Sequence, residues 1–282
     1  MGINRIKESF DFGQGGLYNR YKMEEDMKNA DEKMTVLVAG AKGFIGSRFA
    51  ERLREADSFR VFECDRYTKE KDLEKYLKEC DYIFYLAGRY LGSADELMAD
   101  NIDGAKRLIE QTIALGNNHF KMVYASTIKI EAEAADDYTK SKMAAEEMII
   151  KLAKKHDFPC FIYRFNNIFG ERPINKSGVI EHFCYGTLRG EALKISDKNL
   201  VYNFTYVGDL VDELVLWLES DDKVEGVLHL TNYDTISLGE LADKISMVAD
   251  KMRAGQDFDN EFDKNIARVC QYYISQGCCE KT

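Results

Sequence analysis

The sequence predicts an α/β protein: a doubly wound parallel sheet with helices on both faces, followed by a smaller mixed α/β subdomain. Three observations carry this. Apolar runs and amphipathic stretches alternate from Met34 to about Arg164, as strands and crossover helices do in a parallel sheet. A glycine-rich turn stands where the first apolar run passes into the first amphipathic stretch. Beyond about Asn167 the alternation loosens into loop chemistry and separate elements. Taken in order, MTVLVAG reads as a buried strand, FIGSRFAERLREA as a helix, RVFECD as a second strand, KEKDLEKYLKECD as a charged helix and DYIFYLAG as a third strand. A long helix is expected from about Asp95 to Leu115, then a strand at KMVYAST, a helix from Tyr138 to about His156 and a strand at CFIYRF. After the loop GERPINKSG come a helix in GVIEHFCYGTLRGEALKI and a strand followed by a helix in NLVYNFTYVGDLVDELVLWLE. Ser237 and Glu240 have the spacing of a capping box and start another helix.

Composition narrows the class. With 45% hydrophobic and 31% charged residues the 282-residue chain is globular, and its 2 prolines exclude a Pro-rich disordered chain. The net charge of -10, from 39 basic and 49 acidic residues, opposes binding to nucleic acid or an anionic membrane surface. No apolar run approaches the ~18 residues of a membrane span, and the first residues have no apolar signal core, so a cytoplasmic protein is expected. The seven cysteines, Cys64, Cys80, Cys160, Cys184, Cys270, Cys278 and Cys279, form no C-x-x-C pair and read as reduced thiols. His119, His156, His182 and His229 fall in separate segments, so no metal site is expected.

Gly40, Gly43 and Gly46 form a G-x-x-G-x-x-G between strand and helix. The first glycine permits a tight turn, the second lets backbone approach a diphosphate, and the third allows close helix-on-strand packing, with the helix N-terminus facing the anion. This predicts a Rossmann-type dinucleotide site. Asp65 and Arg66 follow about 20 residues later, where such a fold reads the adenosine ribose. An acid there suits a free 2′-hydroxyl; Arg66 with Lys42 suits a 2′-phosphate, so NADP(H) is favoured and NAD is the alternative. Tyr138 and Lys142 stand four apart at the start of a helix, on one face. An ammonium beside the phenol is expected to lower a pKa of ~10 toward neutrality, and Thr127 or Ser126, ending the preceding strand, can hydrogen-bond the same substrate oxygen.

The expected organisation is an N-terminal extension at 1–33, a dinucleotide-binding domain at 34–166 and a mainly substrate-binding subdomain at 167–282. A strand and helix near 200–220 are expected to return to the first domain.

Together the glycine spacing, Leu86-Ala87-Gly88 after the third strand, Asn101 opening the long helix, Ser126-Thr127 with Tyr138-x-x-x-Lys142, and RFNNIFGE at 164–171 resemble the extended short-chain dehydrogenase/reductase family of nucleotide-sugar epimerases, dehydratases and reductases. The resemblance runs from Met34 to about Met252. It implies that Tyr138 is the catalytic acid/base, that Lys142 holds the nicotinamide ribose and tunes the phenol, and that Thr127 orients the substrate oxygen with Ser126 beside the nicotinamide. It implies cofactor contacts from Gly40, Lys42, Gly43, Phe44, Ile45 and Gly46, from Asp65 and Arg66, and from Leu86, Ala87 and Gly88. Asn101 and Asn167 are implied to touch the sugar nucleotide. The segments FECDRYTKEKDLEKYL, EHFCYGTLRGEALKISDKN and FDNEFDKNIARV are similar to the reductase domain of capsular-polysaccharide enzymes, without the cupin domain those enzymes append. Segment 66–81 is short for the family's usual additional strand and helix. Tyr202 and Asn203 stand where many relatives have an arginine.

The leading expectation is therefore an oxidoreductase reducing a 4-keto nucleotide sugar with NADPH for surface-polysaccharide synthesis. A nucleotide-sugar 4-epimerase with tightly bound NAD uses the same parts, and a non-catalytic NAD(P)-binding regulator is the competing class. Dehydration ranks third, because Ile128 and Lys129 stand where such dehydratases carry an Asp-Glu pair. By resemblance, the helices at about 95–115 and 138–156 pair in a homodimer.

Overall fold

Met34–Ala39 (β1), Phe44–Glu55 (α1), Phe59–Cys64 (β2), Glu70–Glu79 (α2) and Tyr82–Tyr85 (β3) open a strict alternation of strand and helix. Ala94–Met98 (α3), Gly104–Ala114 (α4), Lys121–Thr127 (β4), Asp137–His156 (α5) and Cys160–Phe165 (β5) continue it. Then come Asn167–Phe169 (β6), Val179–Leu188 (α6), Val201–Tyr206 (β7), Val207–Glu219 (α7), Gly226–His229 (β8), Asp234–Ser237 (β9), Leu238–Arg253 (α8) and Glu261–Ser275 (α9). The computed structural model describes residues 33–132, 135–173, 178–230 and 233–278. The expected extension at 1–33, save Lys33, and Cys279 lie outside the described residues.

The chain divides into two units, one running to Phe165 and including Val215–His229, the other holding Asn166–Leu214 and the chain from Leu230 on. The first contains a six-stranded sheet in the order β2-β1-β3-β4-β5-β8, every pair parallel. The chain reverses direction across the sheet between β1 and β3, the switch point at which open α/β sheets bind ligands beyond their carboxyl ends. Ala39 is level with both Cys64 and Tyr85, so the turns at Gly40, Asp65 and Leu86 leave the sheet side by side. Segment 66–81 forms α2 but no extra strand, which leaves β2 at the edge.

Each helix lays one stripe on the sheet: α1 buries Gly46, Phe49, Ala50 and Leu53, an i, i+3, i+4, i+7 pattern. The twenty-residue α5 starts on Asp136, whose carboxylate accepts from Thr139 N, and ends on Lys154, Lys155 and His156, charges that complement the helix dipole at both ends. The expected helix from Asp95 to Leu115 is broken into α3 and α4 by a π-helical segment at Ala99–Asp103. There the carbonyls of Asp100 and Asn101 accept from the hydroxyls of Tyr85 and Tyr124 at 2.9 and 3.1 Å. Those bonds satisfy groups displaced by the wider turn.

The strand near 200 does not return to the large sheet as expected. β7 pairs with β6 and β9 in the second unit, and the strand that closes the large sheet beside β5 is β8, GVLH. VYNFTY is covered only toward its end, with Val201 54% exposed and Phe204 and Thr205 both 2%, whereas a central strand of a parallel sheet is buried along its length. From Val215 onward α7 belongs to the first unit, where the Trp217 ring meets Phe161 at 4.8 Å and Tyr163 at 5.6 Å edge-on. In the second unit the three-stranded sheet and helices α6, α8 and α9 enclose their own core around Phe169, Phe204, Ile245 and Ile266. The Ser237–Glu240 capping box forms as the sequence predicts. Ser93 and Glu96 form a second one at α3, which the sequence analysis missed.

Candidate active site

Steric necessity builds the glycine turn. Gly40 has φ +87°, and a Cβ there would lie 2.6 Å from the Ala87 nitrogen; a Cβ on Gly46 would lie 2.2 Å from the Gly40 oxygen. Side chains at either position would push β1, α1 and the Leu86–Gly88 loop apart. Gly43 is the N-cap of α1 with no side-chain cap, and the first turn, which contains Phe44 and Ile45, holds no acid. An uncapped helix N-terminus at the switch point fits the diphosphate of a dinucleotide.

At the end of β2, Asp65 ion-pairs with Lys42, and its Oδ1 accepts from Tyr67 N at 2.7 Å. The Lys42 hydrogen bond holds the Asp65 carboxyl below its usual range. Arg66, 69% exposed, lies 4.0 Å from Asp100, which also accepts from Arg89 Nε at 2.7 Å. Lys42 and Arg66 thus engage different carboxylates and are not joined in one clamp.

The third cluster gathers at the end of β4 and the start of α5. Tyr138 is hydrogen-bonded to Thr127, whose own Oγ1 accepts from Lys129 N at 3.3 Å. The Tyr90 ring packs edge-on against Tyr138 at 4.9 Å. Ser126 is 3% exposed, and its hydroxyl has no hydrogen-bond partner among the described residues. Lys142 is 5% exposed; its Nζ donates to the Ala125 carbonyl at 2.8 Å and lies 4.7 Å over the Tyr124 ring. A Cβ on Gly88 would come within 3.3 Å of that Nζ, so the Leu86–Gly88 loop passes close above the ammonium. A bare glycine, a buried hydroxyl without a partner among the described residues and a buried amine gathered near the end of β4 fit a ligand rich in hydroxyl groups, such as the ribose of a dinucleotide.

Two expectations fail here. The Tyr138 phenol is not lowered by Lys142: burial, reinforced by Tyr90, pushes it up to about 12, while burial takes the Lys142 amine from 10.5 to about 7. Desolvation disfavours the charged form of each group. Asn101, expected at the substrate, is 0% exposed. Its amide nitrogen donates to Arg89 O and Ser141 Oγ, and its oxygen accepts from Arg89 N at 2.9 Å. It lies within the π segment, tying the loop after β3 to α5, with its side-chain groups already engaged. Asn167, in the second unit, donates to Asn203 O at 3.0 Å and joins β6 to β7.

One turn below Lys142 lie charges that local sequence did not single out. Glu146 receives both Nε and Nη2 of Arg164, at 3.2 and 2.9 Å. The spacing Lys-x-x-x-Glu on α5 was the available signal; that an arginine from β5 would meet it was not readable.

The sequence family described as NAD dependent epimerase/dehydratase matches residues 36–230, and the chain belongs to it. A UDP-2-acetamido-2,6-beta-L-arabino-hexul-4-ose reductase of Pseudomonas aeruginosa is 28% identical over 215 residues, 75% of this chain and 57% of that protein. UDP-glucuronic acid decarboxylase 5 of Arabidopsis thaliana is 24% identical over 77% of this chain and 75% of its own. The crystal structure of the capsular polysaccharide assembling protein CapF of Staphylococcus aureus is similar with a TM-score of 0.71 at 27% identity, over 85% of this chain and 65% of that one. The chain therefore spans less than two thirds of the length of both the Pseudomonas reductase and the staphylococcal protein. UDP-glucuronic acid 4-epimerase of Bacillus cereus, solved in complex with NAD, shares the fold at a TM-score of 0.73 and 18% identity, over 86% and 99% of the two chains.

Proposed function

We propose that the protein is an oxidoreductase that reduces a 4-keto nucleotide sugar with NADPH, in the cytoplasm, for the synthesis of a surface polysaccharide. The observation that carries this is the convergence of the Tyr138 phenol, the Thr127 hydroxyl and the buried Lys142 amine at the carboxyl end of β4. The 28% identity to a hexulose reductase supports the reaction class.

In this reading the glycine turn and the N-terminus of α1 hold the diphosphate, Asp65 and Arg66 face the adenosine ribose, and Ser126 and Lys142 face the nicotinamide ribose. The reduced dinucleotide, when bound, supplies a hydride to the sugar carbonyl. Tyr138 gives its proton to the alkoxide that develops there; a phenol kept neutral by burial is in the right form to donate. Thr127 shares that hydrogen bond and, being fixed by Lys129 N, holds the substrate oxygen in line. Lys142 stabilises the phenolate left behind, and solvent returns the proton. Arg66 supports NADPH over NADH: its exposed guanidinium reaches Asp100 only at 4.0 Å and is available to a 2′-phosphate. Asn167 is assigned to the sugar nucleotide in the second unit. A homodimer through α3, α4 and α5 is supported by Met98 and Met143, 43% and 38% exposed on those helices.

The test is oxidation of NADPH with a UDP-linked 4-keto-6-deoxy-N-acetylhexose. The protein is expected to consume NADPH in step with product, and Tyr138→Phe to lose about 10²-fold or more. Interconversion of UDP-sugar epimers without net NADPH consumption identifies a 4-epimerase, and cofactor binding without any turnover a regulator. Either result overturns the reductase.

A further inference from the structure

A buried ammonium needs a counter-charge, yet one that grips it too closely takes it away from its ligand. Among the described residues no ion pair joins Lys142 to Glu146, although Glu146 follows it by four on α5 and both residues are 5% exposed. The reason is visible in the geometry. Arg164, on β5, takes both carboxylate oxygens of Glu146, at 3.2 and 2.9 Å, and a bidentate guanidinium fixes the carboxylate plane. The same Arg164 donates through Nη1 to Glu131 Oε1 at 3.0 Å, and His229 Nε2 lies 3.4 Å from that oxygen. Two carboxylates share one guanidinium, so the triad carries a net charge of -1 beside an amine that carries +1 when protonated.

We propose that Glu146 is a positioning residue that keeps Lys142 charged from one helical turn away, and that Arg164 holds it there so that the ammonium stays free for its ligand. This rests on the reading that Lys142 serves the bound dinucleotide. The other groups facing Lys142 are Tyr138 on α5, and from β4 the Tyr124 ring and the Ala125 carbonyl. The loop after β3 brings the Gly88 backbone, while the neighbouring Arg89 turns its charge to Asp100 and Glu96. None of these facing groups is a carboxylate, and Glu146 is the one whose field opposes the effect of burial on Lys142. In a site poor in water that field reaches across a helical turn. Released from Arg164, Glu146 would close the ordinary i, i+4 pair and occupy the Nζ that a ribose needs.

The experiment follows the 13Cε resonance of Lys142, assigned by its loss in Lys142→Met, through a pH titration of the ligand-free full chain, with circular dichroism to verify folding. Glu146→Gln is expected to lower the titration midpoint by about one pH unit, since losing a nearby opposite charge disfavours the charged form. Glu131→Gln, at the exposed end of the triad, is expected to lower it by less. Arg164→Lys, which keeps the charge but loses the bidentate hold, is expected to raise it and to weaken NADPH binding several-fold. If Glu146→Gln does not fold, Glu131→Gln and Arg164→Lys decide. An unmoved midpoint in the folded variants, or a shift of the same sign in all three, overturns the inference even if NADPH binds. Shifts as expected without any NADPH binding leave the electrostatics intact and overturn the dinucleotide reading instead.

Discussion

Lys142 in the first unit and Glu181 in the second have been brought to the same place from opposite ends of the scale. Burial takes the amine down from 10.5 to about 7 and the carboxyl up from 4.5 to about 7. Their surroundings differ completely. Lys142 sits below a bare glycine, beside a phenol bonded to a threonine and a serine hydroxyl that has no partner among the described residues. Glu181 is 2% exposed; its Oε1 accepts from Gly170 N at 3.1 Å, Oε2 has no partner among the described residues, and Tyr273 and Cys184 are its buried neighbours. A displaced pKa marks burial; only convergence with other reactive groups marks a site.

The largest effect should separate the two residues outright. Lys142→Met is expected to lower turnover by about 10³-fold, while Glu181→Gln stays within about twofold of wild type. Equal losses in the two variants would break the distinction. Stability should move the other way. Between pH 7 and 10.5 the unfolded chain holds a proton on residue 142 that the folded chain has lost, so this lysine lowers stability most below pH 7 and not at all above 10.5. Lys142→Met should therefore unfold later than wild type at pH 6, by about 1–2 kcal/mol, in urea titrations, and the gain should fade as pH rises.

The glycine turn sharpens the contrast, since nothing there depends on titration. Gly46→Ala places a carbon 2.2 Å from the Gly40 carbonyl oxygen, a backbone contact that cannot relax cheaply. A loss of about 2–3 kcal/mol in unfolding free energy and at least a tenfold loss in NADPH affinity, equally at pH 6 and pH 9, are expected. A pH-dependent loss would show that the turn and the amine are coupled.

These two regions were not equally legible. The glycine spacing, Tyr138-x-x-x-Lys142 and Ser126-Thr127 could be read because local chain geometry demands those residue types at those intervals. The sign of the Tyr138 shift could not, because it depends on how much protein covers the phenol, and Tyr90 arrives from another loop. Asn101 was assigned to the sugar nucleotide by the family resemblance alone, whereas the π segment turns its amide onto Arg89 and Ser141. The small sheet was misassigned in part because VYNFTY is a strand in any reading, and which sheet it joins is decided by Asn167–Phe169 three dozen residues earlier. The parallel sheet itself, from MTVLVA to CFIYRF, was legible from alternation alone.

An exposed charge should matter less than either buried one. Arg66 is 69% exposed, and an ion pair made in solvent is weak and screened. Arg66→Ala should cost about tenfold in affinity for NADPH and little for NADH, measured by fluorescence titration at two salt concentrations, with the difference shrinking at the higher one. An equal loss for both dinucleotides would mean that Arg66 supports the loop through Asp100 rather than reading a 2′-phosphate.

The smallest expected change returns to Glu181 and inverts the sign found for Lys142. Its folded carboxyl holds a proton up to about pH 7, whereas the unfolded one releases it near 4.5. In that window the folded state binds more protons, so stability falls as pH rises, and the full cost is present above pH 7. Glutamine keeps the shape and removes the charge. Glu181→Gln should match wild type at pH 4.5 and exceed it by about 1 kcal/mol at pH 8, the gap opening with rising pH where that of Lys142→Met closes. If the variant is instead less stable at pH 8, the carboxylate of Glu181 is held by more than the Gly170 amide, and the second unit has a charged centre of its own.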